Sequence, residues 1–223
     1  MFYSQFRQDE FLENIIFNGY KNGVFMDVGA HNGVSLNNTL YFEKNNNWSG
    51  VNIEPIKKVF DELVINRPNC ININCAVSNF DGISEFLCNE GYTEMISGLK
   101  NSFDPRHTTR LLNENQKYGS TTKTIDVDTK RIETICDEYN IKHINYLSID
   151  VEGGEFNVIK SINFDKLFID VIGFENNYAD VSTPIMEYLN KKNFITFVDL
   201  SNKPPDILMI NKDSEFIKQI HTT

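Results

Sequence analysis

"GVFMDVGAHNGVSLNNTLYFEK", residues 23–44, is the stretch on which the fold turns. An apolar run, Val24 to Val28, stops at a turn carrying Gly29 and Gly33, and a helix-like run from Leu36 to Lys44 follows. A buried strand feeding a helix through a glycine turn is the first half of a βαβ unit, whose turn offers free backbone N–H groups to a ligand. The spacing of Asp27, Gly29 and Gly33 does not match G-x-G-x-x-G, so the pyrophosphate of a dinucleotide is poorly served. Asp27 suits an ammonium group instead, such as the amino-acid end of S-adenosylmethionine (SAM), and Gly29 lets a ligand lie against the chain.

Upstream, apolar residues at helical spacing from Glu10 to Phe17 predict an N-terminal helical segment within residues 1–22. Downstream come a strand at Trp48 to Ile53, a helix at Ile56 to Asn66, and strand-like runs "CININCAVS" (70–78) and "GISEFLC" (82–88). Residues 89–122 are polar and broken by Gly91, Gly98 and Pro105, which reads as an irregular substrate loop or lid. Regular patterning resumes with "KTIDV" (123–127), a helix at Ile132 to Tyr139, "INYLSID" (144–150), a helix at Glu155 to Ile162 and "LFIDVIGFE" (167–175). A helix at Pro184 to Lys192 leads to "FITFVDL" (194–200) and "DILMIN" (206–211), an antiparallel edge pair joined by Ser201 to Pro205. Strands alternating with helices imply one α/β domain over residues 1–223, its mostly parallel sheet covered on both faces.

The formal net charge of −10, with scattered lysines, disfavours a nucleic-acid partner. No apolar run approaches the roughly 18 residues of a membrane span, and the N-terminus lacks the h-region of a signal peptide, so a cytoplasmic protein is expected. The four cysteines show no CxxC pairing and are read as reduced thiols without zinc. The sequence fixes no oligomeric state.

The second strand ends in Glu54, where an acid can accept both hydroxyls of a ribose. "LSIDVEGGE" delivers Asp150, Glu152 and Glu155 within a few residues, and Glu155 at a helix start has a structural explanation in the helix dipole. The next strand ends in Glu175-Asn176. Asp150, Glu175 and Asn176 can hold Mg²⁺ or a similar hard cation through oxygen ligands; without metal, Asp150 or Glu175 serves as a direct general base. In "GYTEMISGL", Tyr92, Glu94, Ser97 and Gly98 offer stacking, hydrogen bonding and close approach for a polyhydroxylated acceptor. His107 is read either as a proton shuttle or as a solvated loop histidine.

"SQFRQDEFL", "VFMDVGAHNGVSLNNTLYFEK", "WSGVNIEP", "CAVS", "MISGL", "LSIDVEGGEFNVIKSI" and "GFENNY" follow in order over residues 4–178. The set resembles the FkbM family of SAM-dependent methyltransferases. The resemblance implies the seven-stranded class I methyltransferase (Rossmann-like) sheet and a SAM site drawn from Asp27, Gly29, Ala30, His31, Asn32, Gly33, Glu54, Ala76 and Asp150. It also implies methyl transfer to a hydroxyl of a sugar or glycan, with a small-molecule or glycan acceptor. Phe6-Arg7 stands where close members carry a Gly-acid pair, so the N-terminal contacts stay open. The alternatives are an RNA cap ribose 2′-O-methyltransferase, which wants a basic groove, and a methyltransferase of another hydroxylated natural product. A nicotinamide dehydrogenase is opposed by the glycine spacing, and a non-catalytic module by the intact second acidic cluster.

Overall fold

Val24–Val28 (β1) is buried on both faces and lies in the interior of the main sheet, paired along both edges, as a near-continuous apolar run requires. The computed structural model describes residues 1–199 and 206–220; the expected link at 201–205 and His221 lie outside them. In chain order the remaining elements are α1 (Gln8–Phe11), which continues as a π-helical turn at Leu12–Phe17, then α2 (Leu40–Asn46), β2 (Ser49–Ile53), α3 (Lys57–Asn66) and β3 (Ile71–Ile73). Next are β4 (Ala76–Val77), β5 (Gly82–Glu90), β6 (Gly98–Leu99), α4 (Pro105–Tyr118) and β7 (Thr121–Lys130). The chain continues through α5 (Ile132–Glu138), β8 (His143–Ile149), α6 (Glu155–Lys160), β9 (Phe168–Glu175), α7 (Ala179–Lys191), β10 (Phe194–Asp199), β11 (Asp206–Asn211) and α8 (Ile217–Ile220).

The seven-stranded sheet runs β10-β11-β9-β8-β1-β2-β3, with β11 antiparallel to both its neighbours and the other pairs parallel. This is the class I methyltransferase-like sheet that the family resemblance implied, with the antiparallel edge pair that the strand pattern predicted. Register decides where the site lies. Val28 pairs with Ile53 and Ile149, and Ile149 with Phe174, so β2, β1, β8 and β9 finish level. Glu54, Gly29, Asp150 and Glu175 therefore meet at one rim.

Alternate β1 residues enter different cores, because successive side chains point to opposite faces. Met26 and Val28 join Val51, Ile149 and Ile172 against α5 and α6, while Phe25 joins Trp48, Tyr146 and Leu208 under the N-terminal helical turn, which contributes Leu12, Ile16 and Phe17. Among the described residues, no helix is long and apolar enough to cross a membrane.

Four expectations are corrected. The run at 70–78 divides: β3 stays in the main sheet, whereas β4 belongs to a second sheet of order β4-β7-β5-β6. Residues 89–122 are not an irregular loop, since they hold the end of β5, β6, a 14-residue α4 and the start of β7. Only His107 and Leu111 of α4 are buried, so its apolar stripe is too thin to register as periodicity. Its ends were written more plainly: Asp104 accepts from Arg106 N–H, Pro105 opens the helix and Gly119 closes it. The helix after β1 begins at Leu40 rather than Leu36, and α7 begins at Ala179 rather than Pro184.

Candidate active site

The turn after β1 is built by backbone contact. At Gly29, whose φ is +88°, a Cβ would fall 1.9 Å from the carbonyl oxygen of Asp150. No side chain can stand there. The Gly29 and Ala30 N–H groups both donate to the Ile53 carbonyl at 3.0 Å, and Asp150 N–H donates to the Val28 carbonyl at 3.0 Å. The ends of β1, β2 and β8 are thereby fastened to one another.

Two acids in this turn are already committed. Glu54 accepts from His31 N–H at 3.1 Å and from Ile56 N–H at 2.7 Å, and burial, only partly offset by these donors, pushes its carboxyl up to about 7. Asp27 Oδ2 accepts from Asn37 Nδ2 at 2.8 Å and from the Thr39 hydroxyl at 2.9 Å. Burial raises the Asp27 carboxyl, and the guanidinium of Arg67 opposes that rise. Arg67 is fully buried, donates to the Gly33 carbonyl and Asn37 Oδ1 at 3.1 Å each, and pairs with Glu43. Its position beside Pro68 identified it only as a helix end.

The far side of the rim has a different character. One carboxylate oxygen from each of Asp150, Glu152 and Glu175 lies within 4.8 Å of the others. Asp150 opens onto the cavity yet is enclosed by protein. Its carboxyl is held well above the usual range, first by that enclosure and then by the charge of Glu152. Glu175 is raised likewise by burial and by Asp150. Glu152 holds a left-handed backbone (φ +58°), uncommon for a residue other than glycine. Glu155 turns back to accept from Val151 and Gly153 N–H at 3.3 and 3.0 Å, which gives it the structural role expected of a helix-start acid.

A cavity of about 300 Å³ joins the two sides. Asp27, Gly29, Ala30, His31, Glu54 and Ala76 border it at one end and Asp150, Glu152 and Glu175 at the other, with Ile53, Phe86, Ile96 and Leu99 between them. The insertion contributes Glu94, whose carboxylate meets His31 Nε2 at 3.1 Å, and Ser97.

Other expected site residues are placed elsewhere. Asn32 and Gly33 do not border this cavity: Asn32 Oδ1 accepts from Val34 and Ser35 N–H, shaping the turn, and Gly33 packs against Leu63 and Arg67. Tyr92 is 66% exposed and stacks on Tyr118 with ring centroids 3.9 Å apart, while Gly98 packs against Phe103. Asn176 does not border this cavity, whereas Asn177 does, its Nδ2 donating to Glu175 Oε2 at 2.5 Å; Glu152 is the further acid that joins Asp150 and Glu175. His107 is neither on a loop nor solvated. It is 2% exposed within α4, its Nε2 3.1 Å from Glu152 Oε2 without hydrogen-bond alignment. Gln5, Phe6, Asn38 and Arg110 also border the cavity and carried no sequence signal beyond the N-terminal motif.

A model of the methyltransferase FkbM domain matches residues 27–196, from Asp27 through the whole carboxylate cluster. The chain belongs to the FkbM methyltransferase family. It is a methyltransferase domain of that type, and SAM is the family's methyl donor. Among solved structures, the FkbM methyltransferase from Methylobacillus flagellatus KT is similar at 13% identity and a TM-score of 0.52, over 86% of this chain and 44% of that one. The METTL16 MTase domain is similar at 11% identity and a TM-score of 0.51, over 92% of this chain and 66% of that one. This chain thus spans less than half of the Methylobacillus protein, and identities this low speak for the fold alone. No protein of curated function matches the sequence.

Proposed function

We propose that this protein is a SAM-dependent O-methyltransferase acting on a hydroxyl of a sugar or glycan. The observation that carries the proposal is the convergence of Asp150, Glu152 and Glu175 at the far end of a cavity sized for one cofactor. The near end fits SAM: Gly29 clears the floor, Asp27 and Glu54 supply acceptor oxygens, and the apolar middle suits a purine. Asn38 adds a buried Oδ1 with no partner, while its Nδ2 donates to the Ser148 hydroxyl at 3.0 Å. Such an atom suits an ammonium donor. When bound, SAM supplies an electrophilic methyl group on a sulfonium.

The chain's own work is to position the acceptor, exclude water and take up a proton. Three carboxyl groups this close cannot all ionise freely, so a proton held among Asp150 and Glu175 offsets their repulsion. A carboxylate whose basicity burial has raised is a better general base than a solvated one. Glu94 and Ser97 supply hydrogen bonds suited to a polyhydroxylated acceptor. The acidic rim and the net charge of −10 oppose an RNA phosphate backbone. The four free thiols fit the reducing environment of the cytoplasm.

A second reading concerns the same carboxylates, since a divalent cation would offset their repulsion as well as a proton does. Asp150, Glu152 and Glu175 would hold it, and it would lower the pKa of a coordinated hydroxyl. Transfer from labelled SAM to a panel of nucleotide sugars and short glycans, with Mg²⁺ and again with EDTA, tests both readings. Transfer that survives EDTA assigns the proton to a carboxylate, and transfer abolished by EDTA assigns the cluster to a cation. No transfer to any sugar would overturn the acceptor class and turn attention to other hydroxylated molecules, including cap RNA.

A further inference from the structure

Residues 3–8 lie ahead of Asp27, where the match to the family domain begins. They form a strap doubled back on the start of α1. Asp9, fully buried, gathers one part of it: Oδ2 accepts from Tyr3 N–H at 2.5 Å and Oδ1 from the Ser4 hydroxyl at 2.6 Å. Gln8, 2% exposed, gathers the next, its Oε1 accepting from Phe6 N–H at 3.0 Å. Arg7 turns the chain with a left-handed backbone (φ +64°), uncommon outside glycine. The outer end rests on α2, where Phe2 stacks on Tyr41 with ring centroids 4.5 Å apart and Lys44 Nζ lies 5.2 Å over the Tyr3 ring. Two buried polar side chains thus satisfy the backbone of an irregular segment that carries no ladder of its own. What they achieve is to bring Gln5 and Phe6 to the border of the main cavity.

The point of attachment says which part of the cavity is covered. Gln8 Nε2 donates to Asp206 at the start of β11. Asp206 is the register partner of Glu175 and borders, with Asn38, Ser148 and Asp150, a small cleft beside the rim. The strap is therefore fastened next to Asn38 and the carboxylates. Glu54 follows β2, four strand positions from β11 in the sheet, which is about 19 Å at roughly 4.8 Å per strand. In the placement of SAM proposed above, Asn38 meets the ammonium group and Glu54 the ribose, so the strap lies at the methionyl end and far from the nucleoside. Phe6 is half-buried and apolar, a side chain suited to keeping water from that end.

From these features we infer that residues 5–8 are a cofactor-binding element covering the methionyl end of SAM. Phe6 is its binding residue, and Gln8 is a positioning residue that holds Phe6 in place through Asp206. The inference rests on that placement of SAM and adds a wall of the site contributed from outside the matched domain.

The test is calorimetric titration with two ligands, S-adenosylhomocysteine and 5′-methylthioadenosine, the second of which keeps the nucleoside and the sulfur but lacks the amino-acid end. Phe6→Ala should weaken S-adenosylhomocysteine about tenfold or more while 5′-methylthioadenosine stays within about twofold of wild type, which also certifies that the variant folds. Phe6→Leu, which restores apolar cover, should bring S-adenosylhomocysteine back to within about threefold. Gln8→Ala frees the strap without removing a cavity wall and should weaken S-adenosylhomocysteine about fivefold, again sparing 5′-methylthioadenosine. S-adenosylhomocysteine binding Phe6→Ala as it binds the wild type would overturn the strap as a binding element and leave the placement of SAM intact. Equal losses of both ligands in Phe6→Ala would overturn the assignment to the methionyl end. If wild-type protein binds neither ligand, the cofactor reading itself falls, and the strap with it.

Discussion

The two ends of the main cavity are both acidic, yet they are built on opposite plans. At the β1–β2 end, Asp27 and Glu54 have their oxygens engaged by named donors, with Arg67 behind Asp27. At the β8–β9 end, Asp150, Glu152 and Glu175 face one another with few donors among them. The contrast separates two uses of a carboxylate. An acid whose hydrogen bonds are satisfied by its own chain is a fixed acceptor and holds a ligand in one pose. Acids crowded without donors hold unspent electrostatic repulsion, relieved when a proton, a cation or an acceptor hydroxyl arrives.

The sharpest way to break this comparison is Asp150→Asn. On the proposed mechanism turnover should fall by about 10²–10⁴-fold, while S-adenosylhomocysteine affinity changes little. Because the substitution replaces a carboxyl that cannot ionise freely beside Glu152 and Glu175 with a neutral amide, thermal stability at neutral pH should rise, by about 1 kcal/mol. Full activity together with unchanged stability would mean that the cluster is neither catalytic nor strained.

Asp27→Ala should do the reverse. It strips the partners from Asn37 and Thr39 and leaves Arg67 with one less counter-charge, so stability should drop by about 3 kcal/mol or more. Calorimetric binding of S-adenosylhomocysteine should be lost under conditions where the variant remains folded. Near wild-type affinity would remove the cofactor assignment.

A pH series sharpens the contrast from the committed side. Glu54 titrates near 7 in the folded protein against an ordinary value of 4.5. Between those values the folded state keeps a proton that the unfolded chain has released. The contribution is therefore fully present below 4.5 and lost as pH rises through 7, amounting to at most about 3 kcal/mol. Chemical denaturation of the ligand-free protein should show stability falling across that window, with a shallower fall in Glu54→Gln; identical slopes would show that the enclosure of Glu54 is overstated.

Tyr92→Ala should have the smallest effect. It removes a surface stack on Tyr118 and no cavity wall, so stability should move by less than about 0.5–1 kcal/mol, with cofactor affinity unchanged. A loss of cofactor or acceptor binding would return the residue to the site.

The rim was legible in the sequence because its acids end buried strands, where an apolar run followed by a charged residue is a strong local signal: Asp27, Glu54, Asp150 and Glu175 all lie there. The insertion was not. The strands β5 and β7 show largely exposed positions, and α4 buries only two residues, so neither shows a full apolar face. Chemistry that depends on tertiary approach was equally hidden: the contact of His107 with Glu152, the burial of Arg67 and the entry of Gln5 and Phe6 into the cavity link residues far apart in the chain. That Asn177 rather than Asn176 borders the main cavity illustrates a finer limit. Past the end of a strand, the alternation that tells inward from outward no longer applies.

The missing side chain at residue 29 has a consequence for reach. Backbone meets backbone there and, on the proposed function, the turn that cradles the methyl donor lies directly on the carbonyl of Asp150, which serves the acceptor. The span between the two reactants is thus set like a machined gauge, by peptide groups that cannot rotate away, rather than by flexible side chains. An acceptor oxygen one bond too near or too far has no compliant part of the protein to take up the error. On the proposed function, which hydroxyl of the acceptor is methylated then follows from the length of that gauge.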